Sequence, residues 1–155
     1  MQILTETSIS AVKALLYLAT MAPEDPVAPR QIARQLNLSP TYAAKILRRL
    51  VHARILRSHR GARGGVSLNR PVGEITLLEA VESCQGQILA HFCQETKWLA
   101  RTCAFHQAMA DLHDSVTDTL ARWSLADLCA RPLPTATLRN QVNCRMTKVS
   151  VSKST

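Results

Sequence analysis

The stretch Ile32-Ala33-Arg34-Gln35-Leu36-Asn37-Leu38-Ser39-Pro40-Thr41-Tyr42-Ala43-Ala44-Lys45-Ile46-Leu47-Arg48-Arg49-Leu50 decides the fold. Asn37 to Pro40 interrupts two helical patterns. Ser39 suits a helix N-cap, and Pro40 suits the first helical position, where the missing N–H removes no hydrogen bond. Upstream, Ile32, Ala33 and Leu36 give a short helix over Arg30–Leu36 an apolar side. Downstream, Ala43, Ile46, Leu47, Leu50 and Val51 recur at spacings of three and four, which predicts a helix from Pro40 to about Ala53. Two short helices joined by a four-residue turn make a helix-turn-helix, whose second helix enters the DNA major groove.

Charge points the same way. Arg30, Arg34, Lys45, Arg48, Arg49, Arg54, Arg57, Arg60, Arg63 and Arg70 lie between Pro26 and Gly73, an interval with no aspartate or glutamate. The whole chain holds 19 basic and 11 acidic residues, net +8, so the remainder is slightly acidic. A positive surface confined to one segment is the footprint of a face that meets a polyanion. A merely solvated helix face would favour lysine. Here nine of ten are arginine, which forks onto phosphates and guanine edges.

Further along, Ile55-Leu56-Arg57 reads as a strand, Gly61-Ala62-Arg63-Gly64-Gly65 as a tight turn and Val66-Ser67-Leu68 as the returning strand. The hairpin is a wing with Arg60 and Arg63 at its tip. Thr76-Leu77-Leu78-Glu79 is a capping box that opens a helix through Val81 and Cys84. Before the helix-turn-helix, Ile9, Val12, Leu15, Leu16 and Leu18 predict a helix over Thr7–Thr20, capped by Thr7 or Ser8. Met21–Pro29, with three prolines and two acids, reads as a loop. A second loop from Gln85 to Arg101 ends at Thr102, the expected cap of a long helix over Cys103–Trp123. Phe105, Ala108, Met109, Leu112, Val116, Leu120 and Trp123 stripe that helix. So long a stripe fits a dimerisation helix, or packing on the protein's own helices. Ser124–Cys129 closes with a short helix, and the aperiodic tail from Arg131 onward is expected to be disordered. The fold class is mainly α with a small two-stranded β-wing. Residues 1–73 form a winged helix-turn-helix, 74–130 a sensor loop with dimerisation helices, and 131–155 the tail.

The chain has six aromatic residues, and its apolar runs fall short of the roughly 20 residues a membrane helix needs. With no leader-like start, the expected location is the cytosol, with no membrane contact. No glycine-rich phosphate loop, paired carboxylates or nucleophile–base motif speaks for an enzyme. The other class left open is a small metal- or redox-handling enzyme, or an adaptor that uses a winged helix for protein contact.

Five cysteines, Cys84, Cys93, Cys103, Cys129 and Cys144, cannot all pair, and in the cytosol they read as thiols, ligands or redox sensors. Cys103 stands near the start of the long helix, where the macrodipole lowers a thiol's pKa, and His106 lies one turn on along the same face. The two make a half-site for a soft metal. With Cys93 and Cys84 they make three thiolates and one imidazole, suited to an iron-sulfur cluster or to zinc. Thiol redox sensing and plain packing are the other readings of these residues. Cys129 reads as packing, Cys144 as a free thiol, and His91 and His113 as surface or interface residues.

The order of elements and several phrases resemble one bacterial family of winged-helix transcription regulators, that of IscR, NsrR, RirA and CymR (the Rrf-two family). The matching phrases are Thr5-Glu6-Thr7, Ala11-Val12-Lys13-Ala14-Leu15-Leu16-Tyr17-Leu18-Ala19, Ile32-Ala33 with Leu38-Ser39-Pro40, and Leu47-Arg48-Arg49-Leu50. The wing Arg60-Gly61-Ala62-Arg63-Gly64-Gly65-Val66-Ser67-Leu68 and the helix opening Ile75-Thr76-Leu77-Leu78-Glu79-Ala80-Val81 complete the match, which spans roughly residues 2 to 130. The resemblance implies a dimeric DNA-binding protein, usually a repressor, often with an iron-sulfur cluster on a cysteine loop before the dimer helix. Such loops carry three cysteines, and in some members a histidine three residues after the last is the fourth ligand. Cys93, Cys103 and His106 match, while Lys97 and Trp98 occupy the region of the middle cysteine. Ile9 stands where some members offer an acidic ligand. Cys84 substitutes for the missing cysteine if the loop folds back, and the cluster expected is of the two-iron rather than the four-iron kind. Ala44 stands where some relatives read a base with a carboxylate.

The function expected is a homodimeric, sequence-specific regulator of a near-palindromic double-stranded DNA operator, controlled by a cluster or by redox-active thiols. Ser39, Thr41, Tyr42, Lys45 and Arg49 are expected to meet phosphates and base edges, and Arg57, Arg60 and Arg63 to serve the wing.

Overall fold

A computed structural model of the chain describes residues 3–21, 25–61, 64–88 and 103–130. The expected tail lies outside them, as do Arg63, His91, Cys93, Lys97, Trp98, Thr102 and Cys144. Among the described residues the order is α1 (Glu6–Met21), α2 (Pro29–Gln35), α3 (Pro40–His52), β1 (Leu56–His59), β2 (Gly65–Leu68), a 3-10 turn (Val72–Glu74), α4 (Leu77–Gln85), α5 (Ala104–Arg122) and α6 (Leu125–Ala130). None of these helices is long and apolar enough to cross a membrane.

Helix α1 runs 16 residues without glycine or proline and buries Ala11, Val12, Ala14, Leu15, Tyr17 and Leu18. It is hydrophobic on most of its circumference because it is central, with α4 as its main neighbour. It starts one residue before the expected Thr7. The cap is Thr5, whose hydroxyl accepts from the Ser8 N–H at 3.2 Å, while the buried Ser8 hydroxyl donates to the Thr5 carbonyl at 2.8 Å. Ser8 is thus a satisfied core residue and not a cap.

The helix-turn-helix forms as its punctuation predicts. Ser39 Oγ accepts from the Tyr42 N–H at 3.2 Å and Pro40 opens α3. Asn37 takes φ 53°, a left-handed conformation that asparagine tolerates better than most residues. Ile32, Ile46, Leu50 and Ile55 are at most 1% exposed and join α1 in a single core.

The hairpin is displaced by about one residue from expectation. Ile55 belongs to the turn after α3, its N–H held by the Leu50 carbonyl and its carbonyl by the Asn69 N–H. Arg57 pairs with Ser67 and His59 with Gly65 across the antiparallel strands. Val27, expected in a loop, adds a one-residue rung on the other edge of β2. Val27 and Val66 exchange both backbone hydrogen bonds at 2.9 Å, and both side chains are buried. Gly65 makes that rung possible, since a Cβ there would lie 2.4 Å from the Val27 carbonyl oxygen.

Both bonds of the expected capping box are present. Thr76 Oγ1 accepts from the Glu79 N–H at 3.2 Å and Glu79 Oε2 accepts from the Thr76 N–H at 3.1 Å. A second box, unforeseen, opens α6: Ser124 Oγ accepts from the Asp127 N–H and Asp127 Oδ2 from the Ser124 N–H. The two boxes lie side by side, tied by Leu77 N–H to the Trp123 carbonyl and Leu125 N–H to the Ile75 carbonyl, each at 2.8 Å. Helix α5 thereby docks by its C-terminal end. Val116 and Leu120 pack on the core, whereas Leu112 is 37% and Phe105 61% exposed, and no residue of α5 is fully buried. Its stripe is shared: the C-terminal half covers the protein's own helices, while Phe105 and Leu112 in the N-terminal half keep exposed surface.

Candidate nucleic-acid interface and thiol site

On α3, Ala43, Ile46, Leu47 and Leu50 face the core, which turns Thr41, Lys45, Arg48 and His52 outwards. These four recur at spacings of three and four, so they share one face. Lys45 and Thr41 belong to the expected reading set. Arg48 does not, although its spacing from Thr41 and Lys45 on the helix could have found it. Arg30, Arg34, Lys45, Arg48, Arg54, Arg57 and Arg60 are all exposed. Exposed cations keep their hydration until an anion displaces it. They can neutralise phosphates without the desolvation cost that burial would impose.

The other expected reading residues are engaged within the protein. Ser39 spends its hydroxyl on the cap of α3. Tyr42 is half-buried and its hydroxyl donates to Thr7 Oγ1 at 3.0 Å, joining the starts of α3 and α1. Arg49 is also half-buried, and its guanidinium donates to the Cys84 carbonyl in the last turn of α4.

In the wing, Ser67 Oγ is buried between two strand-β1 side chains. It accepts from Arg57 Nε at 3.1 Å and lies 2.8 Å from His59 Nε2. Arg57 is therefore aimed while its Nη groups stay available. Arg60 is exposed at the start of the wing turn, and Arg63 lies outside the described residues. Arg70 leaves the basic set: its Nη2 pairs with Glu79 Oε1 at 2.9 Å. Burial pushes the Glu79 carboxyl up, but the Thr76 and Arg70 hydrogen bonds together with the Arg70 charge outweigh it and hold the group below its ordinary value.

The thiols separate into two environments. Cys103 is the N-cap of α5 and is exposed; Thr102, the expected cap, lies outside the described residues. Cys103 Sγ sits 2.9 Å from His106 Nδ1. That hydrogen bond first, then the backbone amide of His106, holds the thiol below its ordinary pKa, which favours the thiolate. Phe105 stacks edge-on against the His106 ring, with centroids 6.1 Å apart.

Cys84 is the opposite case. It is 2% exposed within the hydrophobic core, and burial pushes its thiol up. Cys129 is half-buried, packs against the core and is also raised by burial, in keeping with a packing role. Cys84 does not join Cys103 and His106: among the described residues no three metal-binding side chains come together. Cys103 and His106 stand together one helical turn apart, Cys84 lies in the core, and Cys93 lies outside the described residues. His113 bonds Asp114 at 3.1 Å on the surface of α5.

Residues 4–131 match a protein-family model, Rrf2, described as an iron-dependent transcriptional regulator. The chain is 31% identical over 134 residues to protein aau3 of Rhizobium meliloti, a match covering 83% of this chain and 86% of that one. It is 29% identical over 126 residues to YffB of Lactococcus lactis, provisionally named a helix-turn-helix transcriptional regulator, with 76% and 81% covered. Among solved structures, CymR, the global cysteine regulator of B. subtilis, superposes with a TM-score of 0.69 at 25% identity, covering 84% of this chain and 98% of that one. IscR of T. potens, at 21% identity, shares the fold with a TM-score of 0.66, covering 89% and 96%.

Proposed function

The chain belongs to the Rrf2 family of transcriptional regulators, and from that premise we propose that it is a homodimeric repressor of a near-palindromic operator whose affinity is set by Cys103. The observation that carries the DNA-binding half is the outward face of α3 and the wing, where Lys45, Arg48, Arg57 and Arg60 stand exposed in a segment free of acids. Thr41, Lys45 and Arg48 read the major groove. Arg57, Arg60 and Arg63 hold the flanking phosphates, and Ser39 and Tyr42 fix the angle of the helix. Residues 1–73 are the reading head, 74–130 the sensor and dimer unit.

The dimer uses the exposed surface of Leu112 and its neighbours on α5. Beside its docked half lies an apolar groove of about 170 Å³, lined by Leu4, Ile9, Val12, Val81, Leu120 and Leu128. Met109 and Leu112 of a second copy suit it in chemistry, and an isologous contact of this kind presents two recognition helices to one operator.

The sensor is the Cys103–His106 pair. A thiolate at Cys103 attacks a peroxide, forming the S–O bond and releasing hydroxide to leave a sulfenic acid, and the exposed helix end accommodates the new group. A second reading, iron-sulfur control, draws on the same pair as soft donors. The described residues supply two of the four donors a cluster needs, so no step is routed through one here. Anaerobic purification followed by an absorption spectrum and iron assay separates the two: visible charge-transfer bands with stoichiometric iron would displace the thiol switch. For the DNA half, Arg60→Ala with Arg63→Ala is expected to weaken operator binding and lower its salt dependence by about two phosphate contacts. Unchanged affinity and slope would remove the wing from the interface.

A further inference from the structure

Arg54 follows α3 in a conformation that arginine rarely takes. Among the described residues two that are not glycine have positive φ, Asn37 at 53° and Arg54 at 58°. Asparagine tolerates this left-handed region, whereas the Cβ of an arginine crowds the following carbonyl oxygen there. The turn itself dictates the angle. The Arg54 N–H donates to the Val51 carbonyl and the Ile55 N–H to the Leu50 carbonyl, each at 3.0 Å, and Leu50 and Ile55 are both buried. This is a Schellman closure, whose left-handed position is ordinarily filled by glycine.

The far side of the turn is fixed as well. Asn69 Nδ2 donates to the Arg54 carbonyl and the Asn69 N–H to the Ile55 carbonyl, both at 3.0 Å. Held at both of its peptide groups, position 54 keeps the strained angle whatever residue stands there. The backbone calls for glycine, and the chain supplies a long cation. Among the described residues the exposed Arg54 side chain has no hydrogen bond or ion pair, and no acid lies between Pro26 and Gly73. Arg54 stands in the chain between the outward cations of α3, Lys45 and Arg48, and Arg57 of β1. Strain retained at a site without an internal use for the side chain points to an external one.

We propose that Arg54 is a DNA-backbone contact, which sets its guanidinium on a phosphate at the corner between the recognition helix and the wing and lowers the stability of the turn in doing so. The proposal rests on the DNA-binding reading above. A duplex that receives α3 in its major groove and the wing on its flank carries backbone past the corner that joins them. A guanidinium there takes a phosphate through two N–H groups and reads no base, so it adds affinity for every sequence alike. The rival role is a cation on the carbonyl end of α3, favoured by the helix dipole. Glycine at position 54 separates the two. On the proposal it relieves the angle and loses a phosphate. On the rival it leaves the melting temperature unraised and the salt dependence of binding untouched.

The test uses the full chain with two duplexes, an operator selected from randomised DNA and a scrambled duplex of the same composition. Binding is followed by fluorescence anisotropy between about 50 and 200 mM salt. Arg54→Gly is expected to melt roughly 2–4 °C higher than wild type. It should also bind both duplexes more weakly by the same factor, about three- to tenfold, with a salt slope lower by about 0.9. Arg54→Asn, neutral and tolerant of the same angle, should match it in slope, and Arg54→Lys should keep the wild-type slope. An Arg54→Gly protein that keeps the wild-type slope, or melts no higher, overturns the proposal. Loss confined to the operator overturns it too, because Arg54 would then read a base. Arg48→Gln keeps this contact distinct from the reading beneath it. If that variant lowers the slope and Arg54→Gly does not, DNA binding by α3 stands and the Arg54 contact falls. Wild-type protein that selects no operator refutes the regulator reading and the contact with it.

Discussion

Replacing Gly65 with alanine should destabilise the protein, against the direction that strand propensity alone gives. Alanine relieves the entropic cost of glycine in a strand, a gain of about 0.5–1 kcal/mol. The structure opposes it. The added methyl would meet the Val27 carbonyl oxygen at 2.4 Å, its carbon at 2.6 Å and the Ala28 nitrogen at 3.0 Å, all backbone atoms with no rotamer to escape into. Ordinary contact begins near 3.4 Å, so β2 and Val27 must separate by about 1 Å. The two Val27–Val66 hydrogen bonds, now 2.9 Å, would not survive that shift. Each contributes about 1 kcal/mol net, and a buried group left unpaired costs about 1–3 kcal/mol. The net expectation is a loss of about 2–4 kcal/mol, which lowers the melting temperature by roughly 6–15 °C at fixed protein concentration. Differential scanning calorimetry or chemical denaturation measures it. Gly73→Ala, where a Cβ meets nothing within 4 Å, is the control and should be near neutral. A Gly65→Ala protein that melts at or above the wild-type temperature would refute the account of the wing.

Alkylation of Cys103 should reach half its maximal rate at a pH below the ordinary thiol value, because its lowered pKa supplies thiolate where a free thiol is still protonated. His106→Ala should move that point upwards, and Cys84 should stay unreactive in folded protein; equal rates for the two thiols would contradict their environments. Thr76→Ala should cost about 1 kcal/mol in denaturant unfolding through loss of the cap. Glu79, whose pKa is lowered on folding, contributes stability that is present above its unfolded pKa and lost as pH falls through the folded value, so Glu79→Gln should flatten the acid limb of stability against pH. Arg54 occupies φ 58°, where a side chain costs about 1 kcal/mol, and Arg54→Gly should raise stability by up to that amount in thermal melts. Under the proposed pairing, Leu120→Asp should leave single protomers in sedimentation velocity; a persistent dimer would move the interface away from the groove.

Where local chemistry decides structure, the chain could be read directly. The Ser39 cap, the Pro40 start and the Thr76–Glu79 box are local signals, and each stands where the spacing puts it. The Val27 rung was invisible because one valine among prolines has no period, and its partner is 39 residues distant in Val66. Thr5 was missed as a cap because Thr7 and Ser8 offered the same chemistry nearer the apolar stripe. The site was legible in composition but not in direction. The acid-free run marks the proposed reading head, yet only packing shows that Arg48 faces outwards while Arg49 turns to α4. Cys103 and His106 were legible at one helical turn, whereas the burial of Cys84 depends on α1 and α3, elements far away in sequence.

The paired caps of α4 and α6 give α5 an asymmetry with a mechanical meaning. Its 19 residues span about 28 Å. At Trp123 the helix is clamped to the start of α4, and at Cys103 it ends in an open thiol. With Val116 and Leu120 packed on the core, the half from Cys103 to Val116 is an arm of about 20 Å, and a swing of about 10° would carry its tip roughly 3 Å. Under the proposed thiol control, a modification at Cys103 too small to disturb a core would act at the end of that arm.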